Sequence, residues 1–205
     1  INAITALVDA ADLADLENDP GVRRVSLDAD VQSHQTLGQD ALVPLNVVRT
    51  LVGSPTGVTG QGVGVAVIDS GIQDRPDLHS RITAFYDFTN DGTPKPCKPT
   101  DPFGHGTHIA ATIASTGQEN NQLLRGIAYN ARLIGMRVLD GNGRGTTSNV
   151  IEALTFATAN KSALGIDVIN LSLGHPIYES ISTDPLVQAV EAAVQAGIVV
   201  VVSAG

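Results

Sequence analysis

The run Gly62-Val63-Gly64-Val65-Ala66-Val67-Ile68-Asp69 is apolar from Val63 to Ile68, interrupted only by Gly64. No polar residue alternates with the apolar ones, so the spacing predicts a strand buried on both faces. The theme returns at Leu133–Leu139, Ile166–Leu173 and Ile198–Val202. Helical stretches lie between these runs. His108–Ser115 is small and Ala-rich. Asn149–Asn160 has Asn149 and Glu152 at the spacing of a reciprocal cap. Pro185–Ala196 follows Asp184 and stops before Gly197, the expected asymmetry of a helix start and stop. Doubly buried strands alternating with helices predict an α/β fold over residues 61–205, a three-layer sandwich around a mostly parallel central sheet. In such sheets function collects in the loops after the carboxyl ends of the strands.

Upstream the pattern is different. Residues 1–31 predict a small α+β unit: a strand-like Ile1–Val8, an amphipathic helix in Asp9–Asn18, a turn at Asp19-Pro20-Gly21 and a second strand over Val22–Leu27. Residues 32–60 are weakly periodic and read as a linker and an N-terminal segment, with a short helix at 44–52. The 205 residues carry 21 Asp plus Glu against 12 Lys plus Arg, a net charge of −9 that repels polyanions and argues against nucleic acid as a partner. Aromatic residues are 3% and Trp is absent, so the core is built from Val, Ile, Leu and Ala. Cys97 is the single cysteine, which excludes an internal disulfide framework. No apolar run reaches the roughly 20 residues that span a bilayer, so no membrane partner is expected. The chain starts at Ile1 and stops at Ser203-Ala204-Gly205, just after a strand pattern. Both ends read as cuts, and the sheet is expected to be truncated at the C-terminal end.

The strand ends carry the chemistry. Asp69-Ser70-Gly71 follows the first long strand, and Phe103-Gly104-His105-Gly106-Thr107-His108 runs into the Ala-rich helix. Flanking glycines let other backbone approach closely. The positive end of a helix disfavours an imidazolium, which favours a neutral His105 able to accept a proton. A carboxylate such as Asp69 would fix its tautomer and stabilise the charge once formed. His105 and His108 stand three apart, but no third ligand is at zinc spacing. The loop Asp140-Gly141-Asn142-Gly143-Arg144-Gly145-Thr146 sits where a phosphate cradle would. Thr146 stands where the dinucleotide fingerprint needs its third glycine, and no P-loop Gly-Lys-Ser/Thr follows. A flexible surface turn and a backbone edge that pairs with a peptide both remain open for this loop. Asn170-Leu171-Ser172-Leu173-Gly174 is open to a plain strand end with a turn glycine.

Together and in order, these segments resemble the subtilisin-like serine proteases (subtilases). Val67-Ile68-Asp69-Ser70-Gly71-Ile72 is similar to the family's Asp motif and Gly104-His105-Gly106-Thr107-His108-Ile109-Ala110 to its His motif. Gly126-Ile127-Ala128 with Ala131, Ile169-Asn170-Leu171-Ser172-Leu173-Gly174 and Val202-Ser203-Ala204-Gly205 resemble its later signatures. The resemblance covers about residues 60–205. It implies a serine endopeptidase with protein or peptide substrates, in which Asp69 orients His105 and His105 acts as general base and then general acid. It implies that Gly143, Arg144 and Gly145 form one edge of the substrate groove and Ser172, Leu173 and Gly174 the other. Ala204 and Gly205 would help line the pocket for the side chain before the scissile bond. The family's oxyanion Asn would follow Gly205, and its Gly-Thr-Ser-Met-Ala nucleophile motif has no counterpart in residues 1–205. The 205 residues alone are therefore expected to be inactive.

Residues 1–31 resemble the C-terminal half of the inhibitory propeptide that precedes many subtilases, a helix and then a strand ending near Asp28-Ala29-Asp30. That resemblance implies a zymogen whose own propeptide is an intramolecular inhibitor, cut somewhere in about 31–45. It also implies secretion or a periplasmic location. No cofactor is expected for the chemistry. Asp77 and Asn120 fall where the family takes oxygen ligands for a structural calcium, although the loop Gly117–Arg125 departs from the usual pattern. Two other readings stand beside the protease: a non-catalytic peptide-binding relative of the same fold, and a nucleotide-binding domain using Gly141–Gly145.

Overall fold

A computed structural model describes residues 3–33, 45–55, 57–90 and 94–203, without the side chains of Asn46 and Asn120. Its centre is a five-stranded parallel sheet. In chain order the strands are β2 (Gly64–Asp69), β3 (Ile82–Asp87), β4 (Arg132–Arg137), β6 (Val168–Leu171) and β8 (Val199–Val202), and in space they run β3-β4-β2-β6-β8. All six residues of β2 are buried, as the uninterrupted apolar run predicts. Alternate residues serve opposite faces. Val65 and Val67 pack with Ala110 and Ala114 of helix α4 (His105–Ala114). Ala66 and Ile68 join the larger core with Val150 and Leu154 of α5 (Thr147–Ala159) and Ala189 and Ala193 of α7 (Pro185–Gln195). Helices thus cover both faces of the sheet and make the expected three-layer α/β sandwich. Short helices α2 (Leu45–Leu51), α3 (Pro76–His79) and α6 (Lys161–Leu164) fill the connections.

Several expectations shift on inspection. The first two, a strand in Ile1–Val8 and one in Val22–Leu27, find no strand among the described residues, and Ile1 lies outside them. Ile4, Leu7 and Leu27 are exposed, so no apolar partner is there to hold either stretch extended. Only α1 (Leu13–Asn18) forms in this unit, and it buries none of its residues. The strand of this region is β1 (Asp30–Ser33), which begins only after the end of the predicted Val22–Leu27. The 44–52 helix is realised as α2. The cap of α5 is Thr146, whose hydroxyl accepts from the Asn149 amide, in place of an Asn149–Glu152 box. In α7 the Asp184 carboxylate accepts from the Leu186 and Val187 amides, with Pro185 at the first turn, as its sequence predicts.

A second, three-stranded antiparallel sheet lies apart from the first, in the order β5 (Arg144–Thr146), β1, β7 (Leu173–Gly174). Asp30, Val31 and Gln32 face Thr146, Gly145 and Arg144 across one edge. Gln32 and Ser33 face Gly174 and Leu173 across the other. The N-terminal segment is therefore inserted between two short strands that follow β4 and β6 of the main sheet.

Candidate active site

The carboxyl end of β2 delivers Asp69 into an interior with no exposure to solvent, 0% of its surface. Burying a carboxylate costs several kcal/mol unless donors surround it. Three contacts meet that need. The Ser70 amide donates to Oδ1 at 2.6 Å. The Nδ1 of His105 lies 2.7 Å from Oδ1 and 2.9 Å from Oδ2. These short, charge-assisted contacts fix the ring with Nδ1 carrying its proton toward Asp69. Nε2 is left as the basic nitrogen.

His105 is the first residue of α4 and 3% exposed. Gly104 precedes it at φ 98°, a conformation open to glycine and strained for other residues. Gly106 is needed for a different reason. A Cβ there would stand 2.1 Å from the Gly71 carbonyl oxygen and 3.1 Å from the Asp69 Cβ. The loop after β2 and the start of α4 thus touch backbone to backbone, which brings Asp69 and His105 into hydrogen-bond range. The hydrogen bond that His105 donates to Asp69 raises the His105 pKa above its ordinary value. Burial opposes that rise, and the charges of Asp69 and Asp101 add to it.

The predicted groove residues are where β1 lies. Arg144 and Gly145 pair with it from β5, and Leu173 and Gly174 from β7. Gly143 contributes its carbonyl, which accepts from the Ser33 amide at 3.2 Å. Ser172 sits between β6 and β7, and its hydroxyl donates to the Asn170 side-chain oxygen. Ala204 and Gly205 lie outside the described residues. The Val31 side chain is fully buried in the main core cluster, while Asp30 and Gln32 point outward. Just upstream, Asp28 accepts from the Ser148 amide at 2.8 Å and the Ser148 hydroxyl at 2.7 Å, at the N-terminus of α5. The negative carboxylate suits that positive helix end. Sequence reading missed this clamp, although an Asp beside a strand that must meet a helix start is its only signal.

Asp77 is buried on α3, and its Oδ1 accepts from the Thr116 hydroxyl at 3.2 Å and the Glu119 amide at 3.0 Å. The Asn120 side chain lies outside the described residues. No group of three His, Cys, Asp or Glu that could hold a metal occurs among the described residues. A hard cation takes six to eight oxygens. Of the two residues expected to hold calcium, Asp77 is the one whose side chain is described, and its Oδ1 already accepts from two protein donors.

The Subtilase family model matches residues 60–205. Serine protease AprX of Bacillus subtilis (strain 168) is 38% identical over 211 residues, covering 100% of this chain and 46% of that protein. An alkaline protease of Alkalihalobacillus alcalophilus is 34% identical over 206 residues, covering 100% of this chain and 49% of that protein. The solved structure of Sphericase superposes with a TM-score of 0.68 at 29% identity, over 81% of this chain and 54% of that one. The chain spans about half the length of the curated relatives it matches.

Two measurements probe the site. A raised His105 pKa means the fold favours the imidazolium. Its contribution to stability is full below 6.5 and is lost as pH rises through the folded value. Proton NMR of the imidazole is expected to titrate above 6.5, and Asp69→Asn to remove both the elevation and the pH dependence of stability in that window. The thermal midpoint measured with calcium and with EDTA tests the expected calcium: a higher midpoint with calcium that Asp77→Ala abolishes supports a cation at the Asp77 loop, and equal midpoints count against it.

Proposed function

Since the chain belongs to the subtilase family, we propose that it carries the Asp and His of a serine endopeptidase and the segment that covers its groove. The observation that carries this reading is the buried Asp69–His105 pair, with Nδ1 held at 2.7 Å. In this reading Nε2 of His105 takes the proton of a serine hydroxyl as its oxygen attacks the peptide carbonyl carbon. The protonated imidazole then gives that proton to the departing amine nitrogen, and the acyl-serine forms as the C–N bond breaks. Water repeats the attack, with His105 again as base, and the serine is regenerated. The serine comes from outside these 205 residues, consistent with relatives about twice as long. Side chains alone carry this chemistry, so it calls for no cofactor. The fully formed Asp–His pair favours catalysis over a purely binding role.

Substrates are proteins and peptides held in extended form between β5 and β7. Backbone hydrogen bonds to two strand edges accept any sequence, which suits broad selectivity. The same slot is filled here by β1, so residues 1–33 act as the intramolecular inhibitor, reaching past the 1–31 boundary expected from sequence. Three features support this role: the pairing of β1 along both edges, the buried Val31, and the Asp28 clamp on α5. Arg24 adds a fourth, donating to the Thr183 carbonyl at 2.5 Å. The place of action is outside the cytoplasm, as the family resemblance implies. No helix among the described residues is long and apolar enough to cross a membrane.

In the full-length protein, His105→Ala is expected to lower kcat by about three orders of magnitude or more with little change in KM, because the base acts in the transition state. Unchanged turnover would discard the mechanism. Val31→Asp places an unpaired carboxylate in an apolar site, at a cost of several kcal/mol. The intact full-length protein is expected to show a lag before it cleaves a chromogenic peptide, and this substitution to shorten it. An unaltered lag would remove β1 as the inhibitory element.

A further inference from the structure

The first turn of α4 has an unusual cap. Its N-cap residue is Gly104, which has no side chain to offer, yet the early amides of a helix need acceptors. Two neighbouring loops supply them. Ser70 Oγ accepts from the Gly106 amide at 2.9 Å. Asp101 Oδ2 accepts from the Thr107 amide at 2.8 Å and from the Thr107 hydroxyl. The other oxygen of Asp101 accepts from the Phe103 amide at 3.2 Å and the Gly104 amide at 2.8 Å. One carboxylate, 9% exposed, therefore takes four hydrogen bonds around His105.

The network continues to the other half of the pair. Thr107 Oγ1, which donates to Asp101, also accepts from the Gln73 amide at 2.9 Å. Gln73 lies in the loop that follows Asp69. At Gly71, in the same loop, a Cβ would stand 2.1 Å from the Thr100 carbonyl oxygen. The segment bearing Asp101 is thus wedged between the loop that delivers Asp69 and the helix that delivers His105. Asp101 and Thr107 together tie the three pieces of backbone: the carboxylate joins its own loop to α4, and the Thr107 hydroxyl carries the link on to the loop that follows Asp69.

Resting on the protease reading, we propose that Asp101 is a positioning residue for the reaction: its carboxylate sets the start of α4 so that His105 meets Asp69, and its charge supports the imidazolium formed in turnover. It touches neither substrate nor the reacting atoms. The charged groups acting on His105 among the described residues are Asp69 and Asp101, and both favour its protonated form. A shift in the imidazole of the order expected from a nearby buried charge therefore reports on Asp101 independently of any activity.

The test uses the full-length protein with three variants. Asp101→Asn removes the charge and turns one acceptor into a donor that faces the Thr107 amide. The expected result is a fall in kcat of about tenfold or more with KM within about twofold, since a displaced base costs the chemical step. The His105 imidazole should also titrate lower by NMR. Thr107→Val deletes the hydroxyl link but keeps the charge, and should lower kcat while leaving the His105 titration elevated. Asp101→Glu keeps charge and acceptors, and should recover the titration more than the rate. If Asp101→Asn does not fold, the last two variants decide between the roles. A folded Asp101→Asn with unchanged kcat and an unchanged His105 titration overturns the proposal, as does Thr107→Val at full kcat. Failure of the protease reading looks different: His105→Ala would keep its activity while Asp101→Asn still moved the imidazole.

Discussion

A carboxylate with no exposed surface, at the end of a strand with no exposed residue, is the constraint on which the rest depends. Asp69 cannot stay ionised there without donors, and the interior around it is Val, Ile and Ala. The imidazole of His105 and the amide of Ser70 are what the fold brings. Bringing them requires two backbones to touch, and the contact between Gly71 and Gly106 is closer than any side chain permits. The glycines of the Asp and His motifs are thus part of the electrostatics. They let a charged pair form out of water, where its mutual attraction is least screened.

The second sheet is governed by a different rule. Strands β5 and β7 are short, three and two residues, and among the described residues each pairs with β1 and with no other strand. Two open edges facing each other are a slot for one extended chain. What fills it is the protein's own Asp30–Ser33, fixed upstream by Asp28 on the α5 terminus. The slot reads backbone, and one apolar site reads a side chain, that of Val31. In the proposed reading a substrate strand would use the same hydrogen-bond groups as β1, so the two occupancies would exclude one another.

The legibility of these features in the sequence divides along physical lines. Strands β2 and β4 announce themselves because burial on both faces writes a continuous apolar run; β6 is buried at alternate residues, and β8 carries the same kind of run although Val199, Val201 and Val202 are exposed, so the expectation of a doubly buried strand does not hold there. Asp69 and His105 were readable because glycines flank them at strand and helix ends. Strand β3 (Ile82–Asp87) was missed: Thr83, half-exposed positions and a register shift at Ile82/Ala84 break its pattern. Asp30-Val31-Gln32-Ser33 has no strand signature at all, since its extension is imposed by partners more than 110 residues away in sequence. Conversely Val22–Leu27 has the composition of a strand and lacks the partner, so the propensity is not realised. Asp101 reads as an ordinary turn residue before proline. Only the backbone folded around it shows four donors converging on its two oxygens.

Asp101 and Asp77 invite a common explanation. The chain is acidic, yet it buries several aspartates where lysine or arginine is not the partner. Each sits where backbone N–H groups point together. Asp101 meets the amides at the head of α4, and Asp77 meets the Glu119 amide and the Thr116 hydroxyl just past its tail. A carboxylate accepting from amides at a helix or turn start is favoured by the local dipole as well as by the hydrogen bonds. At the tail of α4 the amide belongs to the 3-10 turn Gln118–Asn120, so the carboxylate again faces a turn's positive end and not the negative end of α4. The helix that presents His105 is consequently flanked by two buried aspartates, Asp101 from the preceding loop at its head and Asp77 from α3 just past its tail. In the proposed reading, this is the element that carries the base and sets it against Asp69.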